Sequence, residues 1–245
     1  MSLKPLIDYE GVLAWPIMGP RGCEMQKVRL IIFDCDGVLV DSELIACQSV
    51  ARSLAEAGIS LPVGEVLSLY AGASAGAMIS DLNARFPSRL PQNFAEVLAA
   101  KTREAFDRSL KPIEGVEDAV SAIPFRAVAS SSSPERIVRS LQITGLLKYF
   151  HGDSIFSATQ VERGKPAPDL FLLVAERMHV PPKNCVVIED SRLGVQGAHA
   201  AGMAVLGFTG GSHCKPEDAQ ILLDEGATAA FQQMSQLTEI LSNLK

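Results

Sequence analysis

The chain has 245 residues, 28 Asp and Glu against 22 Lys and Arg, and a formal net charge of -6, so it offers no basic footprint for nucleic acid. Hydrophobic residues make up 47% and charged residues 20%, an ordinary globular balance that argues against extended disorder. No apolar run approaches the roughly 18 residues needed to span a bilayer, and the length suffices for a large core, alone or with a smaller insert.

Residues 1–27 read as a loose N-terminal extension punctuated by Pro5, Pro16, Gly19, Pro20 and Gly22. The segment GVLAWPIM follows Asp8 and Glu10 and precedes no A-x-A-like cleavage site, so no signal peptide is expected, and Met25 is a candidate natural start. Five cysteines, Cys23, Cys35, Cys47, Cys185 and Cys214, show no zinc-type or C-x-x-C spacing. Reduced thiols in a cytoplasmic setting fit them best.

The apolar run Val28, Leu30, Ile31, Ile32 reads as a strand, and FDCDGVLVDSE follows it. Asp34 and Asp36 lie two positions apart where that strand ends, so on extended backbone both face one site. Paired acids repel unless a cation, a shared proton or strong donors stand between them, which points to a hard metal such as Mg2+. A solvated turn after a buried strand explains the pair equally well when it is taken alone. Cys35, between the acids, alternates away from them and reads as buried and structural.

Ser42 is placed to cap a helix running to about Gly58, with Leu44, Cys47, Ala51 and Leu54 on one face. As far as Lys111 only helical patterns recur, first Met78, Ile79, Leu82 and Phe86, then Phe94, Leu98, Ala105 and Phe106. Between helices the small-residue loop Tyr70–Gly76 supplies Gly72, Ala73 and Ser74 as candidate substrate contacts or as a plain flexible connection. Glu43 is a further candidate, for substrate hydroxyls, or simply an acid in a first helical turn.

Alternating units follow. A short helix near Val116–Ile123 leads to Phe125–Ala129, then to four serines, Ser130 to Ser133, with Pro134 opening the next helix. The same phrase recurs at Cys185–Ile188 before Glu189, Asp190 and Ser191, and more weakly at Ile155–Ala158 and Ala204–Phe208. Strands separated by helices predict an α/β fold with a doubly wound parallel sheet, its function gathered beyond the carboxyl ends of the strands. Asp34 with Asp36, Ser130 with Ser131, Lys165 in GKPAPD, and Glu189 with Asp190 all fall at such places. Singly each has a dull reading, a capping loop or a surface turn. Together they supply carboxylates for a metal, a cation, and hydroxyl and amide donors for tetrahedral oxygens.

The ordered motifs DCDGVLVDSE, a strand ending in Ser130, GKPAPDLF and VVIEDSRLGVQGAHAAGM resemble the four motifs of the haloacid dehalogenase superfamily, in its phosphatase and phosphomutase branch, over about Val28 to Phe208. That resemblance implies a Rossmann-like core over 28–43 and 112–245 with an inserted all-helical cap over 44–111. It implies Asp34 as the nucleophile that forms an aspartyl phosphate and Asp36 as acid/base. Mg2+ would be bound by Asp34, Asp190 and the Asp36 backbone carbonyl with support from Glu189, and phosphate by Ser130, the Ser131 amide and Lys165. The activity implied is a Mg2+-dependent phosphatase of a small phosphorylated metabolite, such as a sugar phosphate, with no nucleic-acid or membrane partner.

Departures bear on the substrate. A dehalogenase proper lacks the second aspartate, and Asp36 is present. β-Phosphoglucomutase-like members carry a His in the first cap helix and an Arg in the cap loop, where Ala46 and the alanines around Ala75 stand here. A phosphonatase would need a cap lysine, and Lys101 lies on a long amphipathic helix. A phosphomutase and a catalytically silent binding protein remain as alternatives. His199 reads as structural, while His213, in GGSHC, lies near the open end of the sheet without an assigned role.

Overall fold

The computed structural model describes residues 28–244 and, ahead of them, two short strands, β1 (Leu6–Ile7) and β2 (Leu13–Ala14), paired antiparallel. The other expectations for the extension, including Met25 as a start and Cys23 as a thiol, lie outside the described residues.

Six strands form the main sheet: β3 (Leu30–Phe33), β4 (Arg126–Ser130), β5 (Ile155–Ser157), β6 (Cys185–Glu189), β7 (Ala204–Phe208) and β8 (Ala229–Phe231). All neighbours are parallel, in the order β5-β4-β3-β6-β7-β8. The chain winds one way from β3 through β4 to β5, then returns to β6 on the other side. This is the Rossmann-like order, and its direction reverses beside β3, where ligands of open α/β sheets bind. β3 is covered on both faces, which is why its sequence is continuously apolar and not alternating. Ile31 and Phe33 point into one hydrophobic cluster, Leu30 and Ile32 into the other.

Helices α5 (Val116–Ser121), α6 (Pro134–Ile143) and α10 (Leu237–Asn243) cover the first face through Val120, Ile137 and Leu241. On the second face lie α7 (Asp169–Arg177), α8 (Arg192–Ala200) and α9 (Asp218–Asp224), through Val174, Val195 and Leu222. The expected short helix ends at Ser121, two residues earlier than its pattern suggested.

Between β3 and β4 the chain forms only helices: α1 (Glu43–Glu56), α2 (Val63–Tyr70), α3 (Ala75–Arg85) and α4 (Phe94–Ser109). They share a third cluster, in which Leu54, Val66 and Leu82 have no exposed surface. Each such residue contributes about 1.5–3 kcal/mol of burial, so the insert has a core of its own. Gly58 adopts φ 74° just after α1, the left-handed conformation that stops a helix. The insert leaves and rejoins the sheet through two adjacent crossings. The Asp41 amide donates to the Lys111 carbonyl at 2.9 Å, and the Ile113 amide to the Leu39 carbonyl at 3.1 Å.

One local expectation is corrected. Ser42 holds the capping position of α1, but its hydroxyl makes no capping bond. Its backbone is helical (φ -101°, ψ -26°) where a capping residue is normally extended, and its hydroxyl donates to Asp36 Oδ1 at 2.6 Å.

Candidate active site

β3, β4 and β6 end side by side, and their next residues meet at the mouth of the sheet. Asp34 and Asp36 follow β3, Ser130 closes β4, and Glu189 closes β6 with Asp190 after it. Gly37, at φ 80°, turns the chain where a Cβ would lie 1.8 Å from Asp190 Oδ2. Only glycine lets the two loops approach this closely.

Lys165 is the hub. Its ammonium group donates to Asp34 Oδ1 at 2.7 Å, to the Ala129 carbonyl at 3.1 Å, and to Glu189 Oε1. The side chains of Lys165, Asp34 and Glu189 are all almost fully buried. Carboxylate oxygens of Asp34, Glu189 and Asp190 lie within 4.8 Å of one another. Burial pushes the Asp34 carboxyl up, reinforced by Glu189 and Asp190 and opposed by Lys165. Burial raises Glu189 too, again against Lys165. Two of the three crowded acids are thus held above their ordinary range despite Lys165, a repulsion that an added cation would relieve. An all-oxygen donor set of this kind suits a hard divalent cation such as Mg2+.

Asp36 has a different environment. Ser42 and Ser132 hydroxyls each donate to it at 2.6 Å, and Arg136 Nη2 at 3.0 Å. Burial opposes its ionisation, but Arg136 and the hydroxyl donors outweigh burial and hold its carboxyl below the usual range. Arg136 comes from the first turn of α6, and its guanidinium lies 4.9 Å from the Phe106 ring centroid on α4. Residues Ser132 and Arg136 carried no sequence assignment. A signal existed: Pro134 opens α6, and a helical side chain two residues later leans back toward the serine loop.

A cavity of about 940 Å³ lies between the helical insert and the sheet, with Asp34, Asp36, Ser130 and Ser131 among its lining residues. Glu43, Gly72 and Ala73 border it from the insert. Ser74 instead caps α3, accepting from the Ala77 amide at 3.2 Å. Glu43 is buried, and burial together with Asp36 and Asp190 raises its pKa to about 8. Gly72, at φ 75°, rests against the opposite wall, where a Cβ would meet Ser191 Cβ at 2.4 Å. Ala46 and Ala75 line the same cavity and bring no titratable group to it.

Cys35 lies in the hydrophobic core, and burial raises its thiol well above the ordinary value, as it raises Cys47 to about 12. His199 is exposed on α8. The His213 side chain is buried, with Nε2 2.9 Å from Asp190 Oδ2.

An open parallel sheet with acids, a lysine and serines at its switch point defines a hydrolase-type α/β site. The haloacid dehalogenase-like hydrolase family model matches residues 31–208, and the chain belongs to that family. It is 32% identical over 218 residues to 6-phosphogluconate phosphatase of Escherichia coli strain K12, covering 88% of this chain and 96% of that protein. It is 30% identical over 225 residues to a phosphorylated carbohydrates phosphatase of Thermotoga maritima, covering 89% of this chain and 99% of that protein. A solved haloacid dehalogenase-like protein of unknown function from Agrobacterium tumefaciens str. C58 is 39% identical with a TM-score of 0.76, covering 87% of this chain and 97% of that one. Among the described residues no helix is long and apolar enough to cross a membrane.

Proposed function

We propose that the chain is a Mg2+-dependent phosphatase that hydrolyses a small phosphorylated metabolite, a sugar phosphate or related polyol phosphate, through an aspartyl phosphate on Asp34. The observation that carries this reading is Asp34 on the cavity floor, its Oδ1 held by Lys165 with Asp36 beside it. The carbohydrate phosphatases among its relatives support the substrate class.

In this mechanism Asp34 attacks phosphorus, the phosphorus–oxygen ester bond breaks, and Asp36 gives its proton to the departing alkoxide. Water then attacks the aspartyl phosphate, Asp36 takes the water's proton, and inorganic phosphate leaves. In the substrate-free arrangement Asp36 is held ionised, the form that accepts a proton. Approach of an anionic phosphate adds negative charge beside it and favours the protonated form needed for the first step. Lys165, the Ser130 hydroxyl and the Ser131 amide would bind phosphoryl oxygens, and Lys165 would also favour the ionised form of Asp34 against the effect of burial. Asp34, Asp190 and the Asp36 carbonyl, supported by Glu189, are the residues that would hold Mg2+. When bound, the ion supplies charge neutralisation at the phosphoryl oxygens and the nucleophile.

Residues 44–111 serve as the cap and 28–43 with 112–245 as the core, and selection of the leaving group falls to the cap, with Gly72 and Ala73 as contacts and Glu43 at its entrance. The absence of a titratable group at Ala46 and Ala75 favours water as the final acceptor over a phosphomutase reaction. Unpaired thiols at Cys35, Cys47, Cys185 and Cys214 suit a reducing, cytoplasmic compartment. A panel of phosphate esters assayed for free phosphate, with and without Mg2+, tests the reading. Free phosphate that depends on Mg2+ and vanishes in Asp34→Asn is the expected result, whereas isomerised sugar phosphate with little free phosphate would overturn it.

A further inference from the structure

We propose that His213 is a positioning residue for the metal site, fixing the rotation of the Asp190 carboxylate that completes the acidic cluster. This rests on the Mg2+ reading above and adds to it a residue outside the four motifs. Each of the three clustered acids needs a donor to hold it while charge is concentrated around it. Asp34 has Lys165, and Glu189 has Lys165 with the hydroxyl and amide of Ser191. Among the described residues, the polar side chain that reaches Asp190 is His213, with Nε2 2.9 Å from Oδ2.

The contact is built in, not incidental to an exposed loop. Both side chains are buried, at 8% and 4% exposure. Glycines enclose them. A Cβ on Gly211 would lie 2.6 Å from His213 Cε1, and one on Gly37 would lie 3.0 Å from the same atom and 1.8 Å from Asp190 Oδ2. The loop itself is pinned one residue away, where the Ser212 amide and hydroxyl donate to Asp41 Oδ1 at 3.0 and 2.8 Å. The imidazole thus reaches Asp190 from a loop tied to Asp41, and its ring nitrogen holds one carboxylate oxygen. Outer partners of this kind set metal affinity, and their loss costs roughly 10–100-fold in binding.

Isothermal titration of the full chain with Mg2+ tests the proposal, with unfolding in EDTA as a check that each variant is folded. His213→Leu fills the space without a donor, and His213→Gln restores an N–H. The expected result is Mg2+ binding weakened about 10–100-fold in the Leu variant and largely recovered in the Gln variant. A folded Leu variant that binds Mg2+ like the wild type, or a Gln variant as weak as Leu, overturns it. Gly211→Ala gives a second route should the Leu variant not fold, since its methyl group displaces the ring from a backbone outside the left-handed region. Here too Mg2+ binding should weaken, and unchanged affinity counts against His213. A wild type that binds no Mg2+ overturns the cofactor reading and this inference together; a wild type that binds it while the variants bind equally removes the inference alone.

Discussion

At the scale of residues, neighbouring acids behave differently because their partners differ. Asp34 shares a buried ammonium with Glu189, while Asp36 collects two hydroxyls and a guanidinium. Glu43 is the third case, an acid whose burial is not compensated, with a pKa raised from 4.5 to about 8. The unfolded chain releases this proton near 4.5, whereas the folded protein holds it until about 8. Stability that protonated Glu43 contributes is therefore fully present below pH 4.5 and lost as pH rises through about 8. Glu43→Gln, which carries no such proton, should be more stable than the wild type by an amount that grows across this window toward an upper bound of about 5 kcal/mol. Denaturant unfolding of the metal-free proteins at several pH values checks it, and a gain that is the same at pH 4 and pH 9 would contradict the assignment. Lys165→Met should leave Asp34 and Glu189 facing each other without their common cation. We expect phosphatase turnover to fall by about 10²–10³-fold, read in the same phosphate-ester assay, as when an electrostatic stabiliser is removed from other active sites.

At the scale of elements, the loop between α2 and α3 and the first turn of α6 join the insert to the core. Gly72 touches the Ser191 side chain, and Ser191 in turn donates to Glu189. A methyl group at position 72 would meet Ser191 at 2.4 Å from a backbone at φ 75°. Gly72→Ala should therefore prop the insert away from the sheet and lower kcat/KM by about 10²-fold, with a loss of global stability of about 1 kcal/mol. Steady-state kinetics beside thermal unfolding separates the two effects; unaltered kinetics would show that closure does not depend on this contact. Asp107 on α4 and Arg139 on α6 form a two-pronged bridge at 2.8 and 2.6 Å across the same boundary. Both are well exposed, so solvent screens the bridge and it adds little to the seam, where the Arg136 guanidinium also lies over the Phe106 ring.

At the scale of the whole molecule, the crowded acids at the sheet mouth would couple metal binding to folding. A Mg2+ ion taken by Asp34 and Asp190 in the folded state and not in the unfolded chain should raise the melting temperature. The gain is about 2.7 kcal/mol at a concentration 100 times Kd. Differential scanning calorimetry with Mg2+ and with EDTA reads this directly, and equal transitions in both would count against the cluster as a metal site. EDTA should also abolish phosphate release, and added Mg2+ should restore it.

Much of this architecture was legible from the chain alone. Leu30–Phe33 is continuously apolar because both faces of β3 are covered, and Cys185–Ile188 repeats that pattern for the same reason. The helical periodicity from α1 to α4 emerged because each helix has one apolar stripe turned to a shared cluster. β8 and α9 escaped notice, since an edge strand of three residues and a helix of seven bury too little to impose a period. By itself the sequence determined which groups stand at strand ends, Asp34, Asp36, Ser130, Glu189 and Asp190, and that Lys165 lies in a turn ahead of a helix, because backbone alternation and turn residues are local properties. Only the tertiary structure decided what surrounds them. Arg136 and Ser132 on Asp36, Ser42 turned from its helix to the same acid, and His213 on Asp190 arise from contacts between segments 6 to 100 positions apart. Spacing along a chain carries no record of such distances, because they are set by the sheet order that brings loop to loop.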